Sequence, residues 1–328
     1  MKNKRVLVTG GAGFIGSNLV DALVAADARV VVIDDMSTGS RANLADASAS
    51  GVTLHEGSIL DRDLVSSAMR DVDVVFHMAV SNLRVSLRDP WPSHDVNAGG
   101  TLMLLEEAAR SSVERFVYCS SSEVYGSMAH HPLAEDGPTL PTTVYGAAKL
   151  AGEGYALAFW RTHRLPVVVA RPFNTYGFRE HLLGTSGEVI PKMLLRALRG
   201  QPPVVFGEGH QSRDFTFVED TVRGLMACAE TPDIEGEVFN LARGEEVQIG
   251  DLARLICKLC DVDAAPEHIE ARPADVDRQW ADVDKAERVL GFRAGTELVD
   301  GLERYREWFL AFHPDLTALS RSEELKNW

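Results

Sequence analysis

The chain has 328 residues, of which 45% are hydrophobic and 25% charged, so it is long enough to fold around a large buried core. Its 33 basic and 48 acidic residues give a formal net charge of -15, which opposes binding to nucleic acid and to anionic membrane surfaces. No stretch approaches the roughly 20 apolar residues of a membrane helix and the first residues do not form a signal peptide, so we expect a cytoplasmic protein.

Short β-branched runs alternate with helical stretches through the first half of the chain. Each run is apolar along its whole length, which indicates a strand buried on both faces of a sheet. The alternation predicts an α/β fold with a Rossmann-type doubly wound parallel sheet. The strands are predicted at Arg5 to Val8, Arg29 to Ile33, Val72 to His77, Phe116 to Cys119 and Pro166 to Ala170, and the helices at Ser17 to Ala26 and Gly100 to Arg110.

A glycine-rich turn, Thr9 to Gly16, follows the first strand and leads directly into a helix. Gly10, Gly13 and Gly16 recur every three residues, and glycine allows the backbone to turn sharply and to approach a pyrophosphate at the helix N-terminus. The next strand ends at Asp34, about 20 residues further on, where a carboxylate can bind the ribose of a dinucleotide. Because an acid at this position repels a 2′-phosphate, the sequence predicts NAD rather than NADP.

Tyr145 and Lys149 are four residues apart, so on a helix both side chains project from one face. A free tyrosine has a pKa of about 10 and is a poor base, but a neighbouring lysine and a bound nicotinamide cation favour its phenolate. Tyr145 is therefore predicted to exchange a proton with a substrate hydroxyl. Ser120 to Gly126 follow a strand at the carboxyl edge of the sheet, where ligands of such folds bind, and a serine there can share that proton.

After Tyr176 the pattern loosens, and we expect a dinucleotide-binding domain, residues 1–176, followed by a smaller α+β substrate-binding lobe, residues 177–328. Residues 212–245 are expected to return to the first domain. Cys257 and Cys260 form a C-x-x-C pattern without a second Cys or His pair nearby, so we assign no metal and no disulfide. The elements of the lobe are predicted as helices Val189 to Arg199 and Ile249 to Leu259, strands Val204 to Phe206 and His268 to Ala271, and two C-terminal helices.

These features together resemble the extended short-chain dehydrogenase/reductases, and within them the NAD-dependent nucleotide-sugar epimerase/dehydratase family. The resemblance spans nearly the whole chain and is more specific than the glycine turn or the Tyr-Lys pair alone. The matching segments are Thr9 to Gly16, Asp34, Phe76 to Ala79, Val96 to Thr101, Ser120 to Gly126, Tyr145 with Lys149, Arg171 to Gly177, Gln211 to Phe215 and Arg272 to Asp275.

The resemblance implies a role for each matching residue. Ser121, Tyr145 and Lys149 would form a catalytic triad, with Glu123 beside it, and Lys149 would also hold the nicotinamide ribose. The implied cofactor contacts are Gly10, Gly13, Phe14, Ile15, Gly16, Asp34, Ser58, Ile59, Ala79, Tyr145 and Lys149. The implied contacts with a nucleotide-diphosphate sugar are Ser121, Ser122, Asn174, Arg179, Val189, Arg213, Arg272 and Asp275. Arginine suits a diphosphate because its planar fork binds phosphate oxygens in pairs.

Members of the family share hydride transfer from C4 of the sugar to NAD and differ in how the 4-keto intermediate is used. Dehydratases carry an Asp-Glu pair after the catalytic hydroxyl residue, whereas this chain has Ser122 and Glu123, which argues against 4,6-dehydration. That Ser-Glu pair resembles uronate decarboxylases, and Arg179 stands where such enzymes and uronate epimerases bind a carboxylate, so the resemblance leaves a uronate substrate open. The segment from Gly177 to Pro191 resembles 4-epimerases, so a nucleotide-sugar 4-epimerase is the leading hypothesis, with decarboxylase and dehydratase as alternatives.

Two further classes of function compete with this hypothesis. A conventional dehydrogenase would release stoichiometric NADH, and a non-catalytic NAD-binding regulator would commonly lack the tyrosine or the lysine, both of which are present here. The resemblance also implies a homodimer joined through the helices near Gly100 to Arg110 and Tyr145 to Trp160.

Overall fold

Seven parallel strands form one sheet in the computed structural model, which describes residues 1–128, 130–182, 187–271 and 276–320. Their spatial order is β11-β6-β5-β4-β1-β2-β3, so the order reverses between β1 and β4. The predicted doubly wound α/β fold is therefore confirmed. The strands are β1 (Arg5–Thr9), β2 (Arg29–Asp34), β3 (Thr53–Glu56), β4 (Val74–His77), β5 (Arg115–Cys119), β6 (Val167–Pro172) and β11 (Val238–Leu241).

Helices cover both faces of this sheet, and the second half of the chain contributes further helices and short strands. Shorter strands are β7 (Thr175–Tyr176), β8 (Val204–Phe206), β9 (Ser212–Arg213), β10 (Thr216–Phe217), β12 (Val247–Gln248), β13 (Glu267–Ile269) and β14 (Arg278–Gln279). The helices are α1 (Phe14–Ala25), α2 (Ala45–Ala49), α3 (Arg62–Ala68), α4 (Leu83–Arg88), α5 (Trp91–Ser93), α6 (Thr101–Arg110), α7 (Val144–His163), α8 (Val189–Leu198), α9 (Val218–Glu230), α10 (Ile249–Leu259), α11 (Asp284–Leu290), α12 (Leu298–Phe312) and α13 (Leu316–Ser320). A π-helical turn at His94–Gly100 leads into α6, and single 3-10 turns lie at Arg41–Leu44 and Ser122–Val124.

Successive residues of β1 point to opposite faces of the sheet, as strand geometry requires. Val6 and Val8 pack on the face of the sheet that α1 and α9 cover, whereas Leu7 packs on the face that α3, α6 and α7 cover. All three are fully buried. The sheet is thus covered on both sides, which leaves the carboxyl ends of its strands as the open edge for a ligand.

A second core holds α8, α10 and α12 together with the aromatic residues of β7 and β10. The sheet receives its last strand from this half of the chain, since β11 pairs with β6, and α9 packs on the same sheet. The chain therefore crosses repeatedly between the two cores. Within the described ranges, every helix is too short or too polar to cross a bilayer.

Candidate active site

A cavity of about 750 Å³ opens at the carboxyl ends of the sheet strands, between the two cores. Its wall combines residues that follow β1, β2, β4, β5 and β6 with residues at the start of α8 and on β9. The structure brings most of the sequence-predicted site residues to this one cavity. They are Gly10, Gly13, Phe14, Ile15, Gly16, Asp34, Ser58, Ile59, Ala79, Ser121, Ser122, Glu123, Tyr145, Lys149, Asn174, Val189 and Arg213.

The glycine turn gives the cavity an unobstructed helix N-terminus. Gly10 has a φ of +68°, which favours glycine, and a Cβ on Gly16 would lie 2.1 Å from the carbonyl oxygen of Gly10. Helix α1 starts at Phe14 behind Gly13, and no side chain caps its first N–H groups. Uncapped N–H groups at the positive end of a helix bind anions, so this turn fits the pyrophosphate of a dinucleotide.

Asp34 holds the turn in place as well as lining the cavity. Its carboxylate accepts hydrogen bonds from the backbone N–H groups of Ala12 and Met36, both at 2.9 Å. Burial raises the pKa of Asp34, and these hydrogen bonds oppose the rise. Ala79 lies across the turn from Gly10, and its N–H donates to the hydroxyl of Thr9. Ser58 and Ile59 line the same end of the cavity, which fits the adenosine half of NAD.

The first turns of α7 carry Tyr145 and Lys149. The hydroxyl of Thr143 accepts a hydrogen bond from the N–H of Gly146 and so caps the helix just before the tyrosine. The Lys149 ammonium is almost fully buried and donates to the carbonyl oxygen of Cys119 at 2.8 Å. It is thereby fixed beside the end of β5, from which Ser121 also projects.

Burial raises the pKa of the Tyr145 phenol, and a hydrogen bond with the hydroxyl of Ser121 partly opposes the rise. Burial also lowers the pKa of Lys149. In the protein alone the phenol is therefore protonated at neutral pH, although the sequence predicts that Lys149 favours the phenolate. In the predicted reaction, positive charge on the bound nicotinamide ring and on Lys149 would favour ionisation of Tyr145.

The neighbouring residues of the 3-10 turn have different surroundings. Ser122 is buried, and its hydroxyl donates to the side-chain oxygen of Gln279 at 3.2 Å. The same oxygen accepts a hydrogen bond from the Asn174 amide at 3.3 Å. Gln279, which the sequence analysis missed, thus joins two predicted substrate contacts. It is 157 residues from Ser122, and no local motif marks it.

One predicted substrate contact, Arg179, does not line the cavity. The Arg179 guanidinium forms an ion pair with Asp21 of α1 at 2.6 Å, and Arg179 is not part of the cavity wall. In the described structure the Arg179 charge is thus paired with a helix on the cofactor side, and the carboxylate contact expected of Arg179 stays a prediction. Arg272 and Asp275 lie outside the described residues. Arg213 does line the cavity and donates to the carbonyl oxygens of Ser212 and Val276.

A charged pair that the sequence analysis missed also lines the cavity. Both terminal nitrogens of Arg84, on α4, donate to the carboxylate of Glu188, immediately before α8, at 2.8 and 2.9 Å. The two residues are 104 positions apart. They were missed because a pair so distant in sequence leaves no local pattern.

A buried ion pair connects α7, the helix that carries Tyr145 and Lys149, to strand β6 of the sheet. Glu153 lies one turn after Lys149 on α7, and its carboxylate binds the guanidinium of Arg171 at 2.7 Å. The hydroxyl of Ser120 donates to the same carboxylate at 2.5 Å. The end of β5 is thus connected to the helix that carries Tyr145.

Comparison with known proteins agrees with this geometry. The model of the NAD dependent epimerase/dehydratase family matches residues 6–242. The chain is 35% identical to a UDP-glucose 4-epimerase of Mycolicibacterium smegmatis, over 93% of this chain and 98% of the relative. It is also 35% identical to a dTDP-glucose 4,6-dehydratase of Streptomyces niveus, over 93% of this chain and 92% of the relative.

Among solved structures, the chain is similar to a UDP-glucuronic acid 4-epimerase from Bacillus cereus in complex with UDP-glucuronic acid and NAD. The TM-score is 0.88 at 31% identity, and the match covers 94% of this chain and 99% of the other. The likeness therefore extends over both cores and the cavity between them.

Proposed function

Because the chain belongs to the NAD-dependent epimerase/dehydratase family, we propose that it is a nucleotide-sugar 4-epimerase that acts on UDP-sugars through a transient 4-keto intermediate. One observation supports the proposal above all: Tyr145, Ser121 and Lys149 line the same cavity as the glycine turn. NAD, when bound there, takes a hydride from C4 of the sugar and returns it. The side chains of the chain then need only move a proton and hold the sugar.

Tyr145 would accept the proton of the sugar 4-hydroxyl as hydride leaves C4, and Ser121 would keep that oxygen within hydrogen-bonding reach. Lys149, held by the Cys119 carbonyl, places its charge behind the phenol. After the keto sugar has rotated in the cavity, hydride would return to the opposite face of C4, and the same phenol would return the proton to the C4 oxygen. An epimerase needs no additional acid or base for this sequence.

The two alternative reactions have weaker support. A dehydratase is favoured by the Streptomyces relative, but Ser122 replaces the aspartate of the dehydratase pattern and its hydroxyl donates to Gln279. A uronate decarboxylase would need a cation for the substrate carboxylate. Arg179, the residue expected to supply it, pairs with Asp21 instead.

Incubation of the enzyme with UDP-, dTDP- and GDP-sugars, followed by NMR, tests the proposal. We expect interconversion of a sugar and its C4 epimer without added oxidant and without accumulation of NADH, because hydride returns within each turnover. Release of CO2 or loss of water alone would overturn the epimerase assignment. Stoichiometric NADH would identify a conventional dehydrogenase.

The two parts of the chain would bind different ligands. Residues 1–176 would bind NAD and residues 177–328 the nucleotide sugar, with Asn174, Val189 and Arg213 on the wall that separates them. Residues 212–245 would serve the first unit, since they include α9 and β11, which complete the sheet and its cover.

A homodimer is proposed on a separate observation. Helices α4, α5 and α6 all pack against α7, and large apolar side chains are exposed on them. These side chains are Leu87, Trp91, Leu102, Val144 and Tyr155. Exposed apolar groups concentrated on adjacent helices favour burial against a second copy of the same surface.

A further inference from the structure

The Arg84–Glu188 pair joins the two sides of the cavity near the catalytic tyrosine. Arg84 is on α4, which packs against α7, and Glu188 immediately precedes α8 in the second core. The Arg84 side chain is 11% exposed and that of Glu188 is 38% exposed. The bidentate contact therefore fixes a guanidinium at the cavity wall and leaves the carboxylate partly accessible to a ligand.

The Glu188 carboxylate lies close enough to the Tyr145 phenol to raise its pKa. Glu188 and Glu123 both act on the Tyr145 phenol, and all of these residues line the same cavity. In a hexose, C6 is two bonds from C4. A sugar whose C4 hydroxyl meets Tyr145 would therefore hold its C6 substituent close enough to reach the wall that carries Arg84 and Glu188.

The charge of Arg84 is already balanced in this wall. Burial alone would lower the pKa of Arg84, but the carboxylates of Glu188, Glu180 and Glu123 raise it. Burial strongly raises the pKa of Glu180 and so favours its neutral form. The Glu188 carboxylate stays partly accessible at this wall, and it would repel a second carboxylate brought by a substrate.

We propose that the Arg84–Glu188 pair makes this cavity select nucleotide sugars with an uncharged C6 group and reject uronates, an inference that depends on the proposed function. Glu188 occupies both terminal nitrogens of Arg84, which would otherwise bind the C6 carboxylate of a uronate. Specificity here is a difference of affinities that arises from repulsion of the wrong substrate. The pair is thus a specificity determinant.

Calorimetric titration of the NAD-loaded protein with UDP-glucose and with UDP-glucuronate tests this. Wild type is expected to bind UDP-glucose more tightly. Glu188→Gln should raise the affinity for UDP-glucuronate relative to UDP-glucose by about tenfold, because Arg84 keeps its charge while its carboxylate partner is lost. In the double variant Arg84→Gln with Glu188→Gln that gain should disappear.

Glu235→Gln is the matched control. Glu235 pairs with Arg115 at 2.9 Å, with side chains 25% and 8% exposed, and Arg115 starts β5 at the end of the sheet opposite the cavity. The same loss of charge there should leave the affinity ratio unchanged. If Glu188 had only a structural role, Glu188→Gln would lower the affinity for both sugar nucleotides by the same factor.

The outcomes separate the two proposals. Failure to bind either sugar nucleotide overturns the proposed function and this inference with it. Tight binding of UDP-glucuronate by wild type overturns the inference alone. An unchanged ratio in Glu188→Gln, or a gain that persists in the double variant, also overturns it.

Discussion

Tyr145 must lose its proton in a site where burial raises its pKa. Two positive groups would favour the phenolate. They are Lys149, which donates a hydrogen bond to the Cys119 carbonyl oxygen, and the nicotinamide ring of bound NAD. Ser121 shares the proton through its hydrogen bond with the phenol. In the proposed reaction Tyr145 would act as a base only with the cofactor bound, which would couple proton removal to hydride transfer.

We expect Tyr145→Phe to reduce kcat by about 10²- to 10⁴-fold, because the hydroxyl that carries the proton is lost. Binding of the sugar nucleotide, measured by calorimetry, should change little. Tyr155→Phe on an exposed part of the same helix is the control and should keep its activity. Wild-type turnover in Tyr145→Phe would remove the proton-transfer assignment.

Glu153 supports the site from within the protein. Glu153→Gln should lower the free energy of unfolding by about 3–5 kcal/mol, because the buried Arg171 charge would lose its partner. Urea denaturation measures the change. Glu56→Gln removes the partner of Arg41 in an exposed pair and should cost less than about 1 kcal/mol. An equal decrease in the free energy of unfolding of the two variants would show that the buried pair contributes no more to stability than the exposed pair.

At the level of elements, α7 has to approach the sheet closely in order to place Tyr145. A Cβ on Gly152 would lie 2.2 Å from the hydroxyl oxygen of Tyr118, which is on β5. A Cβ on Gly154, two residues on, would meet nothing within 4 Å. The glycine at 152 is therefore needed for packing, whereas the glycine at 154 is not.

Gly152→Ala should destabilise the protein by about 1–3 kcal/mol, because α7 or Tyr118 must shift. Gly154→Ala should instead stabilise it by about 0.5–1 kcal/mol, since alanine is the better residue in a helix interior. Thermal and urea unfolding of both variants give the comparison. A stabilising Gly152→Ala would contradict the close approach of α7 and β5.

A second element-level contact is sensitive to pH. Glu246, just before β12, binds Arg278 of β14, and these interactions lower its pKa to about 2. Because the folded pKa is below the unfolded value, the contact stabilises the fold above about pH 4.5 and is lost as pH falls toward about 2.

Glu246→Gln should therefore lower stability at pH 7 by about 1 kcal/mol or less, as expected for a largely exposed pair. The difference from wild type should narrow below pH 5 in urea titrations at a series of pH values. A difference that does not depend on pH would show that packing, and not charge, accounts for it.

The sequence was sufficient for elements whose signal is local. The strands β1, β2, β5 and β6 were predicted because each is a continuous apolar run, and the glycine turn because its spacing is fixed. The short strand β11 was not predicted, since its four residues are placed in the sheet by pairing with β6, far away in sequence. The Arg84–Glu188 pair and Gln279 were missed for the same reason.

For the whole molecule, the proposed dimer is tested by Leu102→Glu. Leu102 is 41% exposed on α6, and a charge in the centre of an apolar interface should weaken association at least about tenfold. Leu310→Glu is the matched control, because Leu310 is 40% exposed on the distant α12. Sedimentation velocity over a range of protein concentrations measures both. Monomeric wild-type protein would end the dimer proposal.

Helix α1 has a second set of contacts besides those of its N-terminus. The Asn18 amide donates to the carbonyl oxygen of Phe178, and Asp21 pairs with Arg179, so two side chains of α1 tether the turn that leads to His181. His181 lines the cavity with its ring edge against Phe14. We expect the release of a dinucleotide seated at this turn to require that these tethers open. We therefore expect NAD to remain with the protein through many reaction cycles and to resist dialysis, as a resident prosthetic group does.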